Sequence, residues 1–292
     1  MSPADAGGDG GRPRVRIGSP AHGGRPRARR SYRTPDFEPD HVAALFDRNA
    51  AGYDRINTVI TFGLDAAWRR WAARQAVPAP SAGQARPASS GQAAPASTTG
   101  APAPRPHPLV LDACAGTGLL ARDLARRGGR VTAVDAAPGM LAVARARLAA
   151  DGRAVRLVVA DLTDPRAPAA LGGPFDAITV GFGLRYFADP AVVLGPLREL
   201  LAPGGRLVVV EAVEPPGDLR GAAAGLYFFE VAPRVGAALA GRAELYRFLT
   251  DSTRALGSGD DLAAHLERAG LAIVARRRFA CGVVAGLVAE PA

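Results

Sequence analysis

The sequence has no lysine, so every basic side chain apart from histidine is an arginine. Cysteine is almost absent too, and Cys114 and Cys281 are too few for a disulfide framework. The four histidines are scattered without metal-ligand spacing, so we expect no metal. No apolar run approaches the length of a membrane span, and the Gly/Pro/Arg-rich N-terminus lacks the apolar core of a secretory signal. These absences predict a cytoplasmic protein.

The net charge of +9 is concentrated in two segments of unusual composition. Residues 1–35 hold eight arginines against two aspartates, and residues 78–108 add two arginines. Both segments are poor in large apolar residues, so we expect a disordered tail at 1–35 and a flexible linker insertion at 78–108. The rest of the chain is nearly neutral, which argues against nucleic acid as a partner.

Outside these segments the hydrophobic pattern is that of a folded protein. Residues 36–77 have helical periodicity and form a segment too short to be stable alone, so it should pack on the main body. Residues 109–292 alternate between strand and helix patterns, which predicts a doubly wound α/β sheet with a ligand crevice at the strand carboxyl ends. The predicted strands are 109–111, 130–134, 155–159, 177–180, 206–211, 273–278 and 283–289, and the predicted helices are 119–127, 139–150, 191–201 and 260–269, with a helical cap at about 215–256.

The most informative stretch is Val-Leu-Asp-Ala-Cys-Ala-Gly-Thr-Gly at 110–118. An apolar strand runs into Asp112, and Gly116 and Gly118 flank Thr117 where a helix begins. Glycines let a ligand lie against the backbone, and free N–H groups at a helix start favour polar or anionic groups. Extended to Ala121, the run also satisfies the dinucleotide-binding pattern. A nicotinamide or flavin oxidoreductase, or a tight turn without a ligand, therefore stays open at this point.

Carboxylates at the ends of the predicted strands separate these alternatives. Asp112 precedes the glycine turn, Asp135 ends the second strand, and Asp161 follows the third. Asp135 can accept hydrogen bonds from ribose hydroxyls or cap the next helix, and Asp161 is placed for an adenine amino group. With the Leu-Leu-Ala-Pro-Gly-Gly-Arg element at 200–206, this order is similar to that of class I S-adenosylmethionine-dependent methyltransferases.

Further motifs resemble one family within that class, the ubiquinone/menaquinone biosynthesis C-methyltransferases. The resemblance runs from about Phe46 to about Ala289, interrupted only by the linker. Tyr186 departs from it, because the family generally has Asn after Gly-Leu-Arg. The motifs are Phe-Asp-Arg-Asn-Ala-Ala-Gly-Tyr-Asp-Arg-Ile-Asn (46–57), Thr-Phe-Gly-Leu-Asp (61–65), Trp-Arg (68–69), Gly-Phe-Gly-Leu-Arg (181–185), Pro-Arg-Val-Gly (233–236), Tyr-Arg-Phe-Leu (246–249) and Gly-Val-Val-Ala (282–285).

The resemblance implies a Rossmann-like seven-stranded sheet, mostly parallel, with an antiparallel C-terminal strand. It implies S-adenosylmethionine as cofactor and C-methylation of a prenylated quinol precursor. The reaction it favours most is the conversion of demethylmenaquinol to menaquinol. The expected location is the cytoplasm or the inner face of the membrane. The residues expected to bind the cofactor are Asp112, Gly116, Thr117, Gly118, Asp135, Met140, Asp161, Leu162 and Gly181.

The catalytic residues implied are Arg185, Tyr53 and Asp54. Arg185 is expected to stabilise a phenolate, directly or through a water, or else to pair with a carboxylate near the fourth strand. Tyr53 and Asp54 are expected to help close the N-terminal segment over the cofactor, with Asp54 or Asp47 as the candidate base. Tyr53 could equally be a packed aromatic.

Two other functions stay open from the sequence. One is a related methyltransferase acting on another small aromatic or polyketide-like metabolite. The other is a non-catalytic partner protein that binds S-adenosylmethionine or associates with the membrane. The apolar stretch 226–239 is expected either to wall an isoprenoid tail and contact the membrane, or to pack in the core or in a homodimer.

Overall fold

Seven strands form the sheet of the protein. The computed structural model describes residues 37–78, 107–241 and 243–292, so the predicted tail and nearly all of the predicted linker lie outside the described residues. The strands are β1 (Leu109–Ala113), β2 (Arg130–Asp135), β3 (Arg156–Val159), β4 (Phe175–Gly181), β5 (Leu201–Ala212), β6 (Leu271–Phe279) and β7 (Val284–Pro291). Their order is β3-β2-β1-β4-β5-β7-β6, and β7 is antiparallel to both of its neighbours while β1 to β5 are parallel.

This topology confirms the predicted mostly parallel seven-stranded fold. Its inner strands are short apolar runs, because helices cover them on both faces: Leu111 of β1 and Ile178 of β4 are fully buried. The edge strand β6 instead carries exposed arginines at 276–278. Charges on an edge strand discourage pairing with another chain, which agrees with the place of β6 in the order.

The helices of the described residues lie around this sheet. A π-helical turn, Tyr227–Val231, joins α8 and α9. The helices are α1 (Pro39–Asp47), α2 (Tyr53–Ile60), α3 (Leu64–Ala76), α4 (Leu119–Arg126), α5 (Pro138–Ala150), α6 (Ala167–Leu171), α7 (Ala191–Glu199), α8 (Leu219–Leu226), α9 (Ala232–Ala240), α10 (Ala243–Leu256) and α11 (Gly259–Arg268).

Two tryptophans fix α3 against the sheet. Trp68 and Trp71 are buried in the same apolar cluster as Val208 of β5 and Val288 of β7. Gly286 of β7 makes this contact possible, because a Cβ there would lie 2.6 Å from the ring of Trp71. The anchored α3 follows directly after α1 and α2, which contact α5 and α9.

Two details differ from the sequence prediction, and a third adds to it. Strand β5 begins at Leu201 rather than at residue 206, because Leu201 already pairs with Phe175 and residues 202–205 loop out before pairing resumes at Arg206. Helix α6 was not predicted. The cap expected at about 215–256 consists of α8, α9 and α10 with the π-helical turn between the first two.

Candidate active site

A cavity of about 300 Å³ opens at the carboxyl ends of the parallel strands. This is the crevice in which open α/β sheets bind their ligands. All of the residues predicted to bind the cofactor line it except Gly118, as do the three predicted catalytic residues. They are Asp112, Gly116, Thr117, Asp135, Met140, Asp161, Leu162, Gly181, Tyr53, Asp54 and Arg185.

The turn between β1 and α4 uses its two glycines for different purposes. Gly116 and Gly118 have φ values of 53° and 75°. A Cβ on Gly116 would meet nothing within 4 Å, so open space faces the backbone there. A Cβ on Gly118 would lie 2.8 Å from the Cβ of Ala144. Gly118 therefore lets α5 approach the turn, whereas Gly116 leaves room beside it.

Asp135 and Asp161 organise the backbone around the cavity. Asp135 accepts hydrogen bonds from the N–H of Gly116 (2.8 Å) and of Ala137 (2.9 Å), which joins the glycine turn to the start of α5. Burial raises the pKa of Asp135, and these backbone bonds offset part of that rise. Asp161 accepts from the N–H and the hydroxyl of Thr163 at 2.8 and 2.7 Å. Because each carboxylate oxygen has two lone pairs, both residues keep capacity for a ligand hydroxyl or amino group.

Arg185 lies in a buried ion pair with Glu211 at the end of β5. Its side chain is 7% exposed and that of Glu211 is 0% exposed, and Nη1 donates to Oε1 of Glu211. Nη2 donates to the hydroxyl of Tyr186 over 2.5 Å. The Nε atom has no hydrogen-bond partner among the described residues. The expected pairing with a carboxylate is therefore present, and one buried donor of Arg185 is left without a hydrogen bond among the described residues.

The two N-terminal residues reach the cavity from the start of α2. Asp54 accepts from the hydroxyl of Thr117 over 2.7 Å and pairs with Arg147 over 2.5 Å. Tyr53 packs edge-on against Phe46, with the ring centroids 5.8 Å apart. Asp47, the other candidate base, accepts from the N–H of Gly139 over 2.7 Å.

Aromatic side chains form the wall of the cavity away from the glycine turn. Tyr186 stacks on Phe248 at 5.7 Å and meets Phe46 at 4.8 Å. Burial raises the pKa of Tyr186 well above its usual range, so its hydroxyl stays protonated near neutral pH. Phe228 and Phe229, from the π-helical turn, also line this end of the cavity. Together with Phe46 and Tyr186 they form the aromatic chamber. One cavity therefore joins a polar end at the glycine turn to an apolar, aromatic end.

Comparison with known proteins places the chain in a family. The sequence model of the ubiE/COQ5 methyltransferase family matches residues 35–289. The chain belongs to the ubiE/COQ5 methyltransferase family. It is therefore an enzyme that transfers methyl groups, with S-adenosylmethionine as its cofactor, and the predicted family is confirmed.

Curated members of this family cover most of the chain. The chain is 36% identical over 248 residues to a demethylmenaquinone methyltransferase of Clavibacter sepedonicus, covering 85% of this chain and 89% of that one. It is also 36% identical to a demethylmenaquinone methyltransferase of Thermus thermophilus, covering 78% of this chain and 92% of that one. Among solved structures it is similar to an O-methyltransferase family protein from Burkholderia thailandensis, with a TM-score of 0.46, 24% identity, and coverage of 64% of this chain and 52% of that one.

The polar end of this methyltransferase's cavity fits a cofactor that carries positive charge. Asp112 is buried; its Oδ1 accepts from the hydroxyl of Thr179 over 2.7 Å, and its carboxylate faces the backbone of Ala121. Its Oδ2 has no hydrogen bond of normal geometry to any described residue. S-adenosylmethionine carries a sulfonium and an ammonium group. An incompletely paired, buried carboxylate beside an open glycine turn suits such a ligand.

Cofactor affinity is expected to depend on pH through Asp112. Burial raises the pKa of Asp112 from 3.8 to about 7, and the nearby Asp135 and Asp123 add to the rise. A raised folded-state pKa means that the stability of the cofactor-free protein falls as pH rises from about 4 to about 7. A cationic ligand favours the ionised carboxylate, so affinity for S-adenosylmethionine should rise about tenfold from about pH 6 to about pH 8.

Calorimetric titration of the wild type and of Asp112→Asn across this range tests the dependence. The variant is isosteric but cannot ionise, so its affinity should stay flat. Equal pH profiles for the two proteins would rule out Asp112 as the titrating group.

Two absences hold for the described part of the chain. In it, no group of three or more His, Cys, Asp or Glu side chains is arranged to hold a metal ion. No helix among the described residues is both long and apolar enough to cross a membrane.

Two site residues escaped the sequence analysis. Glu211, the partner of Arg185, was read only as the end of a strand. Arg147 lies inside α5 and donates to both Asp54 and the carbonyl of Thr117. Its partners are 93 and 30 residues away in the chain, so no local pattern could have pointed to it.

Proposed function

We propose that this enzyme methylates a ring carbon of a prenylated quinol, converting demethylmenaquinol to menaquinol. The observation that carries the proposal is the single cavity in which the polar glycine turn meets the aromatic chamber. Such a cavity suits a charged methyl donor at one end and an apolar aromatic acceptor at the other. The relatives named demethylmenaquinone methyltransferase, at 36% identity, support this choice of acceptor.

The polar end of the cavity holds the cofactor in this proposal. The backbone at Gly116 and Thr117 lies against it, and Gly181 lines the same end of the cavity at the end of β4. Asp135 accepts hydrogen bonds from the ribose hydroxyls, and Asp161 accepts from the adenine amino group. Met140 and Leu162 pack against the adenine. When bound, S-adenosylmethionine supplies an electron-poor methyl group.

The protein's task is to hold the acceptor and to stabilise its negative charge. A quinol ring carbon becomes nucleophilic when a neighbouring hydroxyl loses its proton to solvent. That carbon then gains the methyl group from the sulfonium, which is left as the neutral thioether of S-adenosylhomocysteine, and it releases its own hydrogen as a proton to restore the aromatic ring. The chamber walls align that carbon and exclude water. Arg185 places a fixed positive charge in the buried chamber, where it stabilises the phenolate oxygen more than it would in water.

Asp54 closes the site in this account rather than acting as a base. It pairs with Arg147 and accepts from Thr117, so both of its oxygens are engaged. These two partners fix Asp54 between the glycine turn and α5, so its role in this account is structural. Asp47 is likewise held by Gly139.

Tyr186 favours one alternative acceptor class. Its ring packs between Phe46 and Phe248 inside the chamber, and its hydroxyl is held by Arg185. A tyrosine ring fills more of the chamber than the asparagine that the family generally has at this position. The smaller chamber would suit a compact aromatic or polyketide-like metabolite without a long tail. This second candidate is a methyltransferase of the same chemistry with a different acceptor.

Membrane contact is part of the leading proposal, because prenylated quinols reside in the bilayer. A stripe of five exposed apolar residues runs along the continuous helical segment α8–α9. Successive residues of the stripe are seven, five, four and four positions apart in the sequence. Phe228 and Phe229 of the same segment line the chamber. The exposed residues are Leu219, Leu226, Val231, Val235 and Leu239. The competing interpretation of this stripe is a homodimer contact.

A transfer assay with the acceptor in lipid vesicles tests both parts. Labelled S-adenosylmethionine is supplied with demethylmenaquinone, either reduced or oxidised, and the vesicles are then sedimented. We expect label in the reduced quinol only, since the oxidised ring is not nucleophilic, and we expect protein in the vesicle pellet.

Three outcomes would count against these assignments. Cofactor binding without transfer to the quinol would favour the compact-acceptor alternative. Transfer from a detergent solution with no protein in the pellet would overturn the membrane part alone. If the protein does not bind the vesicles and its molecular mass instead doubles as the protein concentration is raised, the stripe is a dimer contact.

A further inference from the structure

Arg147 joins three parts of the protein through one side chain. Its Nη1 donates to the carbonyl of Thr117, and its Nη2 donates to Oδ2 of Asp54 over 2.5 Å. Asp54 closes a ring by accepting from the hydroxyl of Thr117 at its other oxygen, over 2.7 Å. Thr117 is buried, and the side chains of Arg147 and Asp54 are each 21% exposed. The ring is therefore well shielded from water, which strengthens its charge-assisted bonds.

The ring holds the part of the cofactor-site backbone that has the greatest conformational freedom. Thr117 stands between Gly116 and Gly118, both at positive φ. Glycine on each side leaves a peptide unit with many accessible conformations. Fixing the carbonyl and the hydroxyl of Thr117 selects one of them.

The same ring holds one wall of the aromatic chamber. Asp54 follows Tyr53 directly at the start of α2, and Tyr53 packs on Phe46 of α1. The end of α1 is fixed separately, since Asp47 accepts from the N–H of Gly139 in the first turn of α5. Gly139 and Arg147 are eight residues apart, about 12 Å along the helix. Helix α5 thus serves as a rigid bar to which α1 and α2 are attached at two points.

We propose that Arg147 is a positioning residue that couples the cofactor turn to the N-terminal helices. Order at Thr117 and order at Asp54 depend on the same guanidinium. A ligand that fixes the glycine turn therefore also stabilises α2, and the reverse holds by linkage. The coupling rests on the proposed function only in treating the aromatic chamber as the acceptor site.

The test measures S-adenosylhomocysteine binding and tryptic cleavage, neither of which needs the quinol. Arg48 is exposed at the end of α1, and Arg55 is exposed in α2. Cleavage at either bond requires local opening of this segment. In the wild type, S-adenosylhomocysteine should slow the appearance of fragments that begin at Asn49 or Ile56.

Arg147→Gln and Asp54→Asn should each weaken binding of S-adenosylhomocysteine about tenfold and remove its protection of these two bonds. The double variant should lose no more than either single one, because each change opens the same ring. Arg145→Gln, an exposed arginine on the same helix, is the matched control and should behave as wild type. A loss of general stability alone would lower Tm without removing the effect of the ligand on cleavage.

Wild-type affinity with wild-type protection in Arg147→Gln would overturn the proposal. So would losses that multiply to about a hundredfold in the double variant, since that marks two independent effects. If Arg147→Gln fails to fold, Arg147→Lys replaces it. A single ammonium cannot serve two acceptors as the planar guanidinium does, so we expect reduced protection, and full protection would contradict us. Failure of methyl transfer to the quinol leaves every one of these measurements unchanged.

Discussion

Arg185→Ala is expected to lower kcat for methyl transfer about 100-fold or more while leaving the affinity for S-adenosylmethionine unchanged. Arg185 lies in the cavity with a buried Nε that has no partner among the described residues. A cation fixed in a shielded chamber stabilises a developing phenolate strongly, and removing one such donor typically costs two to three orders of magnitude. Rates in single-turnover experiments, with cofactor affinity from calorimetry, measure the two quantities separately.

Glu211 supplies the control for this prediction. Removing Arg185 alone strands a fully buried carboxylate, which should cost about 3–5 kcal/mol of stability. Adding Glu211→Gln removes that charge and should restore much of the Tm. If the rate stays low when the stability returns, Arg185 acts in catalysis. If the rate returns with the stability, its role is limited to holding the turn after β4 against β5.

Gly118→Ala is expected to abolish cofactor binding and to lower Tm by several degrees. The backbone at Gly118 has φ of 75°, which costs a residue with a Cβ about 1–2 kcal/mol. The added methyl would also lie 2.8 Å from the Cβ of Ala144, so α5 must move away from the turn. Helix α5 carries both Met140 of the cavity and Arg147, so this movement disturbs the cofactor site as well as the core. Calorimetric titration with S-adenosylmethionine and a thermal melt measure the two effects.

Gly152 provides a control that separates the effect of backbone strain from the effect of a steric clash with α5. Gly152 also has positive φ, 64°, but a Cβ there would meet nothing within 4 Å. Gly152→Ala should therefore show the backbone strain alone, with a small fall in Tm and normal cofactor binding. Adding Ala144→Gly to Gly118→Ala should recover part of the lost binding, because it removes the colliding atom. Equal damage from Gly152→Ala and Gly118→Ala would show that the approach of α5 is not what matters.

The fold could be predicted from the sequence because its main signals are local. Buried strands are short apolar runs, and the helices between them have their own periodicity. The start of β5 could not be predicted in the same way. Pro203, Gly204 and Gly205 signal a turn, and a strand that loops out and resumes pairing gives the same local signal. Pairing of Leu201 with Phe175 depends on a strand 26 residues earlier, which no local pattern reveals.

The residues of the candidate site likewise fall into those with a local sequence signal and those without one. Asp112, Asp135 and Asp161 could be found because each lies at or just after the carboxyl end of a strand, and these ends meet at one edge of a parallel sheet. Glu211 and Arg147 act through partners distant in sequence, and their own neighbours look like ordinary strand and helix. The stretch 226–239 was open to two interpretations, and the structure divides it: Phe228 and Phe229 line the cavity, while Leu226 and Leu239 are exposed.

The position of the transferred methyl group distinguishes C-methylation of a quinol ring from O-methylation. S-adenosylmethionine labelled with carbon-13 in its methyl group is incubated with the enzyme and reduced demethylmenaquinone, and the product is analysed by NMR. We expect a labelled methyl bonded to a ring carbon, with no methoxy signal. A labelled methoxy group, or an unlabelled quinol recovered beside a cofactor-bound enzyme, would contradict it.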